Sequence, residues 1–305
     1  MGQEILIAGA TGNLGFRIAK VLAEKGAKVR AIVRGSSDVE KVSELEKLGI
    51  EVIVVSNWNL MQLTEACEGI TCVVSALAGL RDVIIDSQKI LLDAAISAKV
   101  KRFIPSDYSL DFTKFSDGEN RNLDLRREFH RYLDTCPIES TSIFNGAFSE
   151  LLPDQMPFIL LKPKIILYWG KADFKWGFTT MDNTAEYTAN VALDTNTPRY
   201  LRIASDTINP REMRQIAMEV YGKPFKMFSP GGKKLLGFLI KMIRKFSSSE
   251  NELYPAWQGM QYMHNMIDER SFIDTYDNQR YTNIHWLGMK DYLLSLKNNE
   301  LNLKS

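Results

Sequence analysis

The chain has 305 residues, 45% hydrophobic, 10% aromatic and 25% charged, and its 38 Lys and Arg against 37 Asp and Glu leave a formal net charge of +1. That apolar content buries a large core and excludes a disordered chain, while the balanced charge excludes a general nucleic-acid binder, which needs clustered Lys and Arg. Cys67, Cys72 and Cys136 show no CxxC or Cys/His ligand spacing, so neither a metal site nor a disulfide framework is expected, and reduced thiols in a cytoplasmic protein are the plain reading.

No apolar run reaches the roughly 18 residues of a membrane span, and the first residues lack the pattern of a signal peptide. Short apolar runs at Ile5–Ala8, Val29–Val33, Val52–Val55, Cys72–Ala76 and Arg102–Pro105 alternate with helical-period segments at Leu14–Lys25, Asp38–Leu48, Leu60–Cys67 and Asp82–Ala98. This is the pattern of βαβ units in an α/β, Rossmann-type doubly wound parallel sheet, whose ligands bind beyond the carboxyl ends of the strands.

Further on, the spacing predicts a helix over Leu123–Leu133, strands near Thr141–Phe144 and Lys164–Trp169, a helix over Asn183–Leu193 and a strand at Tyr200–Ala204. A helix opened by Pro210 runs to Tyr221, and Tyr254–Met266 reads as a last substantial helix. Between these two, Lys233–Phe246 is basic and amphipathic, with Leu235, Leu239, Met242, Ile243 and Phe246 on one face and Lys234, Lys241 and Lys245 on the other. It is either a core-facing helix with a solvated basic side or a surface for an anionic membrane or a partner. A cofactor domain over 1–150 and a smaller α+β substrate lobe over 151–305 are expected, with strands free to interleave across that approximate boundary. Trp169, Phe174, Trp176, Phe178, Trp257, Tyr262 and Met263 pack the core of this half or line a flat aromatic pocket.

The strongest local motif is Gly9-Ala10-Thr11-Gly12-Asn13-Leu14-Gly15, directly after the first strand and directly before a helix. In that context Gly9 makes the tight turn, Gly12 admits the backbone to a pyrophosphate and Gly15 lets the helix pack closely, with free N–H groups facing the phosphates. The second strand ends in Val33-Arg34-Gly35-Ser36-Ser37 with no acid before Asp38. Arginine there suits a 2′-phosphate, with the Ser36 and Ser37 hydroxyls as further donors, so NADP(H) is expected over NAD(H). A solvated surface arginine is the alternative.

The Gly-x-x-Gly-x-x-Gly spacing, the Val73-Val74-Ser75-Ala76-Leu77-Ala78-Gly79 run, the Gln88–Ala95 helix and Val100-Lys101-Arg102-Phe103-Ile104-Pro105-Ser106-Asp107-Tyr108 together resemble the NmrA-like and isoflavone-reductase-like family of atypical short-chain dehydrogenase/reductases. The turn Phe144-Asn145-Gly146-Ala147-Phe148 is similar to a further segment of that family, and the Asp182–Ala192 helix to a later one. The resemblance implies that Gly9, Thr11, Gly12, Asn13, Leu14 and Gly15 hold the pyrophosphate and Arg34 the 2′-phosphate. It implies that Ala76, Leu77 and Ala78 lie at a ribose, and Ser106 and Asn145 near the nicotinamide. Read without the resemblance, Ala76–Ala78 is a plain strand end, Ser106 a cap and Asn145 a turn former.

The proton donor departs from the pattern. No tyrosine has lysine four residues later, and no lysine stands anywhere from Phe115 to Leu161, where the family's catalytic lysine is expected. Asn122 or Arg126 falls at that position, and neither replaces lysine conservatively. Tyr108 and His130 are the other candidates for a proton source. Two readings follow: an NADP(H)-dependent oxidoreductase acting on a small apolar or aromatic acceptor (enone, quinone or aryl carbonyl), or a non-catalytic NADP(H)-sensing regulator that binds a protein partner.

Overall fold

A computed structural model describes residues 3–152, 156 and 158–302. Its central feature is a six-stranded, wholly parallel sheet made of β1 (Glu4–Ala8), β2 (Lys28–Arg34), β3 (Glu51–Val55), β4 (Cys72–Ser75), β5 (Arg102–Ile104) and β6 (Glu139–Ser140), in the order β3-β2-β1-β4-β5-β6. The strands pair in simple register, Ile5 with both Val29 and Cys72, so the apolar runs stack across the sheet. Helices α1 (Asn13–Glu24), α2 (Val39–Lys47), α3 (Leu60–Cys67), α4 (Gln88–Ser97) and α5 (Arg121–Leu133) make the crossovers. Leu63, Leu91, Leu92, Phe103, Phe129 and their neighbours form one buried cluster, which is why these strands read as unbroken apolar runs. The chain reverses its direction of growth between β1 and β4, so the open crevice of this Rossmann-type fold lies at their carboxyl ends.

The Asp82–Ala98 segment is not one regular helix. Asp82–Ser87 forms a wider π-helical turn before α4, which carries the Gln88 side chain into the interior at 1% exposure. Helices α2 and α3 begin where the sequence supplies caps: Asp38 accepts from the amides of Glu40 and Lys41, and Asn59 from that of Gln62.

Contacts divide the chain into two units. The first takes the chain up to Tyr108, Asn122–Phe144 and Thr184–Leu201; the second takes Ser109–Arg121, Asn145–Asn183 and the chain from Arg202 onward. The chain thus passes between them repeatedly, with no single crossing at residue 150. In the first unit the buried Arg102 donates to the carbonyls of Val191, Ala192 and Asp194 and to the Thr197 hydroxyl, satisfying the carboxyl end of α6 (Met181–Leu193). Alongside, β7 (Ser142–Phe144) pairs with a later strand at Tyr200–Arg202.

The second unit contains two small sheets. One joins β8 (Ala147–Phe148), β11 (Trp176–Thr179) and β13 (Asp206–Ile208); the other joins β9 (Ile159–Leu160), β10 (Ile165–Leu167) and β14 (Lys226–Phe228), with β12 being the Tyr200–Arg202 strand. Trp176 and Phe178 are core residues, with Phe158 stacked 4.7 Å from Trp176, and Trp257 is fully buried. Helix α7 (Pro210–Tyr221) opens with an Asn209–Glu212 capping box, and α8 (Lys233–Phe246) and α9 (Ala256–Met266) follow. Tyr254–Met266 is not the last helix, because α10 (Met289–Asn302) comes after it. Helix α8 buries Leu236 and Ile240; Leu235, Met242, Ile243 and Phe246, on the face whose spacing suits a core, are exposed. No helix among the described residues is long and apolar enough to cross a membrane.

Candidate functional site

At the end of β1 the chain turns at Gly9 with φ +88°, and a Cβ there would lie 2.6 Å from the Ala76 carbonyl oxygen. A Cβ on Gly15 would lie 2.1 Å from the Gly9 carbonyl oxygen, so two glycines are dictated by backbone packed on backbone. The Gly12 amide donates to the Gly9 carbonyl at 2.9 Å and closes the turn. Helix α1 then starts at Gly12 with no side-chain cap, unlike α2, α3 and α7. Among the described residues the amides of Asn13 and Leu14 have no backbone partners, beside half-exposed Thr11 and exposed Gly12. An open helix amino end over a turn with no room for side chains fits a pyrophosphate.

Arg34 closes β2. Its amide donates to the Ser37 hydroxyl oxygen at 3.0 Å and the Ser37 amide to its carbonyl at 2.9 Å, a turn that leaves Gly35 and Ser36 exposed. The Arg34 guanidinium lies 5.7 Å from the Trp58 ring centre and has no hydrogen-bond partner among the described residues. Trp58 is anchored by donating its Nε1–H to the Ser87 carbonyl at 2.8 Å. Trp58 escaped the sequence reading; its place three residues past β3, on the strand edge that carries Arg34, is the signal that points to it.

Three loops are tied together at this edge. The Ser106 hydroxyl donates to the Leu77 carbonyl at 2.6 Å, and the Ser106 amide donates to Oε1 of Gln88 at 3.0 Å. Ser106 is 4% exposed, so its side chain braces the β4 and β5 loops. Arg126, half-buried on α5, donates from Nε to the Ser106 carbonyl at 3.0 Å and from Nη1 to the Asn122 carbonyl at 3.0 Å, and among the described residues Nη2 has no partner. Leu77 is 9% exposed, and Ala78 is exposed beside it.

The remaining candidates face inward. Asn122 is 1% exposed. The Tyr108 hydroxyl is buried towards Thr188, and burial holds its pKa well above the usual tyrosine range, more than the Thr188 hydroxyl offsets. A phenol held in that way gives up a proton reluctantly. His130 is 5% exposed: its Nε2 lies 2.6 Å from Oδ2 of Asp107 and 3.2 Å from the Ser142 hydroxyl, with Tyr200 stacked on the ring. Ser142 in turn receives Nη1 of Arg199 at 2.6 Å. Asp107 and Arg199 were not legible as partners of His130, and only the fold joins them. Asn145 belongs to the second unit, where its amide donates to the Ser109 carbonyl and its carbonyl accepts from Thr179, while its side-chain Oδ1 and Nδ2 are buried with no partner among the described residues.

The family model described as the NmrA-like family matches residues 1–251. This chain belongs to the NmrA-like family. Among curated relatives of this NmrA-like protein, pinoresinol reductase 1 of Arabidopsis thaliana is 24% identical over 306 residues, covering 95% of each chain. Among solved structures, isoflavone reductase superposes with a TM-score of 0.81 at 18% identity, covering 97% of this chain and 100% of that one. The structure of AtPrR2 with NADP+ and (+)-pinoresinol gives a TM-score of 0.81 at 22% identity, covering 97% and 99%. At these identities the structural likeness concerns the fold.

Proposed function

We propose that this NmrA-like chain is an NADPH-dependent reductase that acts in the cytoplasm on a small apolar or aromatic acceptor, an enone, quinone or aryl carbonyl. The observation that carries this reading is the Gly9–Gly15 turn, with its uncapped helix end and the unpaired Arg34 guanidinium close to it in the order of the sheet. The kinship to pinoresinol reductases, and to a structure holding NADP+ with (+)-pinoresinol, supports it.

When bound, NADPH supplies the hydride. The first-turn amides of α1 would hold the pyrophosphate, Arg34 and the Ser36 hydroxyl the 2′-phosphate, and Ala76–Ala78 a ribose. Ser106 would keep the β4 and β5 loops in fixed register beneath the nicotinamide end. Arg126 stays protonated and is a poor acid, so its free Nη2 would stabilise negative charge on the acceptor oxygen while water delivers the proton. A quinone demands least from such a site.

A second reading, an NADP(H)-sensing regulator that binds a protein partner, is favoured by the lack of a lysine from Phe115 to Leu161, where Asn122 or Arg126 stands at the expected position, and by the burial of the Tyr108 hydroxyl and His130. One experiment separates them. NADPH and NADH affinities are measured for wild type and Arg34→Ala, and NADPH oxidation is followed against quinones, aryl enones and aryl carbonyls. Turnover, with an NADPH preference erased by Arg34→Ala, upholds the reductase. Tight binding without turnover selects the regulator, and failure to bind NADPH overturns both.

A further inference from the structure

Helix α8 has a surface that the cofactor site leaves unexplained. Thirteen large hydrophobic side chains among the described residues are exposed, and five of them, Leu235, Phe238, Met242, Ile243 and Phe246, fall within its 14 residues. Phe238 is 60% exposed and Phe246 81%, too open for residues that pack against another part of this chain. At 100° per residue Phe238 points directly away from the buried Leu236 and Ile240. Leu235, Met242 and Phe246 continue the apolar surface on one side of it, and Lys234, Lys241 and Lys245 border it on the other.

The charge on this helix is one-signed. It carries five Lys and Arg and no acid, in a chain whose net charge is only +1, so the remainder of the protein is net negative. Two of the five cations are engaged, Lys233 with Asp268 and Arg244 with Glu250, and Gly237 lies against the His264 ring of α9. These contacts hold the inner face to the second unit. Lys234, Lys241 and Lys245 are exposed and have no ion-pair partner among the described residues.

We propose that the outer face of α8 docks this protein on an anionic phospholipid membrane. Protruding Phe, Leu and Met side chains on a convex helix suit insertion at the headgroup boundary, and the bordering lysines suit the negative surface potential of anionic lipid. A neutral solvated face would carry both signs of charge and few large apolar groups. The inference does not rest on the reductase reading, because none of these residues belongs to the cofactor turn.

The test is flotation of the full chain with vesicles of phosphatidylcholine alone or phosphatidylcholine mixed with phosphatidylserine, at low and high salt. Binding to the phosphatidylserine vesicles, weakened by salt and weak to phosphatidylcholine alone, is expected. Lys241→Glu with Lys245→Glu should lower that affinity roughly 30-fold or more, and Phe238→Ser with Phe246→Ser roughly tenfold. Circular dichroism and NADPH affinity unchanged from wild type show that the variants are folded. Three results overturn the proposal: no binding to phosphatidylserine vesicles, binding that both double variants retain, or loss of a homodimer or of a protein complex in the variants without any loss of vesicle binding.

Discussion

Nε2 of His130 lies 2.6 Å from Oδ2 of Asp107, at 5% and 1% exposure respectively, so a carboxylate one residue past Ser106 is held in the interior by an imidazole on α5. Burial alone would raise the Asp107 pKa. The charge of His130, hydrogen bonds from His130 and Ser142, and the nearby Arg199 together hold it below the usual aspartate value.

A carboxyl whose folded pKa is depressed stabilises the fold fully above its unfolded value, near pH 4, and loses that contribution as pH falls through the folded value. Urea unfolding should therefore find wild-type stability declining below about pH 4. Asp107→Ala should cost about 3 kcal/mol at neutral pH and flatten that acid limb. NADPH affinity should change far less than stability if the pair is a brace.

The glycine turn predicts a graded series. Gly15→Ala drives a Cβ into the Gly9 carbonyl and should cost about 2 kcal/mol or more of stability together with NADPH binding. At Gly12 a Cβ would sit 3.1 Å from the same oxygen, so Gly12→Ala should fold nearly normally yet weaken NADPH by crowding the phosphate end. Thermal unfolding beside fluorescence titration of NADPH distinguishes the two effects. Equal loss of stability in both variants would contradict this geometry.

For Arg126, removal of the guanidinium should lower kcat roughly a hundredfold while leaving NADPH affinity within about twofold. Arg126→Lys keeps a cation but loses the fork that spans the Ser106 and Asn122 carbonyls, so it should restore part of kcat. Steady-state kinetics at saturating NADPH provides the measurement.

The thiols report on the integrity of the first unit. Burial pushes Cys67 and Cys72 up to about 12, so neither should react with a maleimide at neutral pH in the native protein. Cys136 is only partly buried and should label slowly. Mass spectrometry should find a single modified site until denaturant is added.

The first five strands were legible because a sheet covered on both faces leaves each strand a continuous apolar run, and the glycine turn because backbone contact excludes every other residue at Gly9 and Gly15. Strand β6 is two residues long, too short for any period to register. The π-helical turn at Asp82–Ser87 escapes a 3.6-residue template, yet it is what brings Gln88 to the Ser106 amide. Helix α10 carries Met289, Tyr292 and Leu293 at its start and mostly polar residues afterwards, so its apolar signal ends early. The Asp107–His130 pair depends on residues that only the fold brings together, and nothing local announces it, whereas Trp58 is signalled only by its place three residues past β3.

Arg102 has a consequence for the order in which the protein is made. Its guanidinium is buried at the start of β5, and its partners are Val191, Ala192, Asp194 and Thr197, about ninety residues later. A nascent chain that has emerged only to residue 150 has the five leading strands and the glycine turn, but an arginine with no carbonyls to receive it and no partner for β7. The first unit therefore closes late in synthesis, and a gene fragment cut at residue 150 should yield a chain that depends on chaperones, where an autonomous domain would fold unaided.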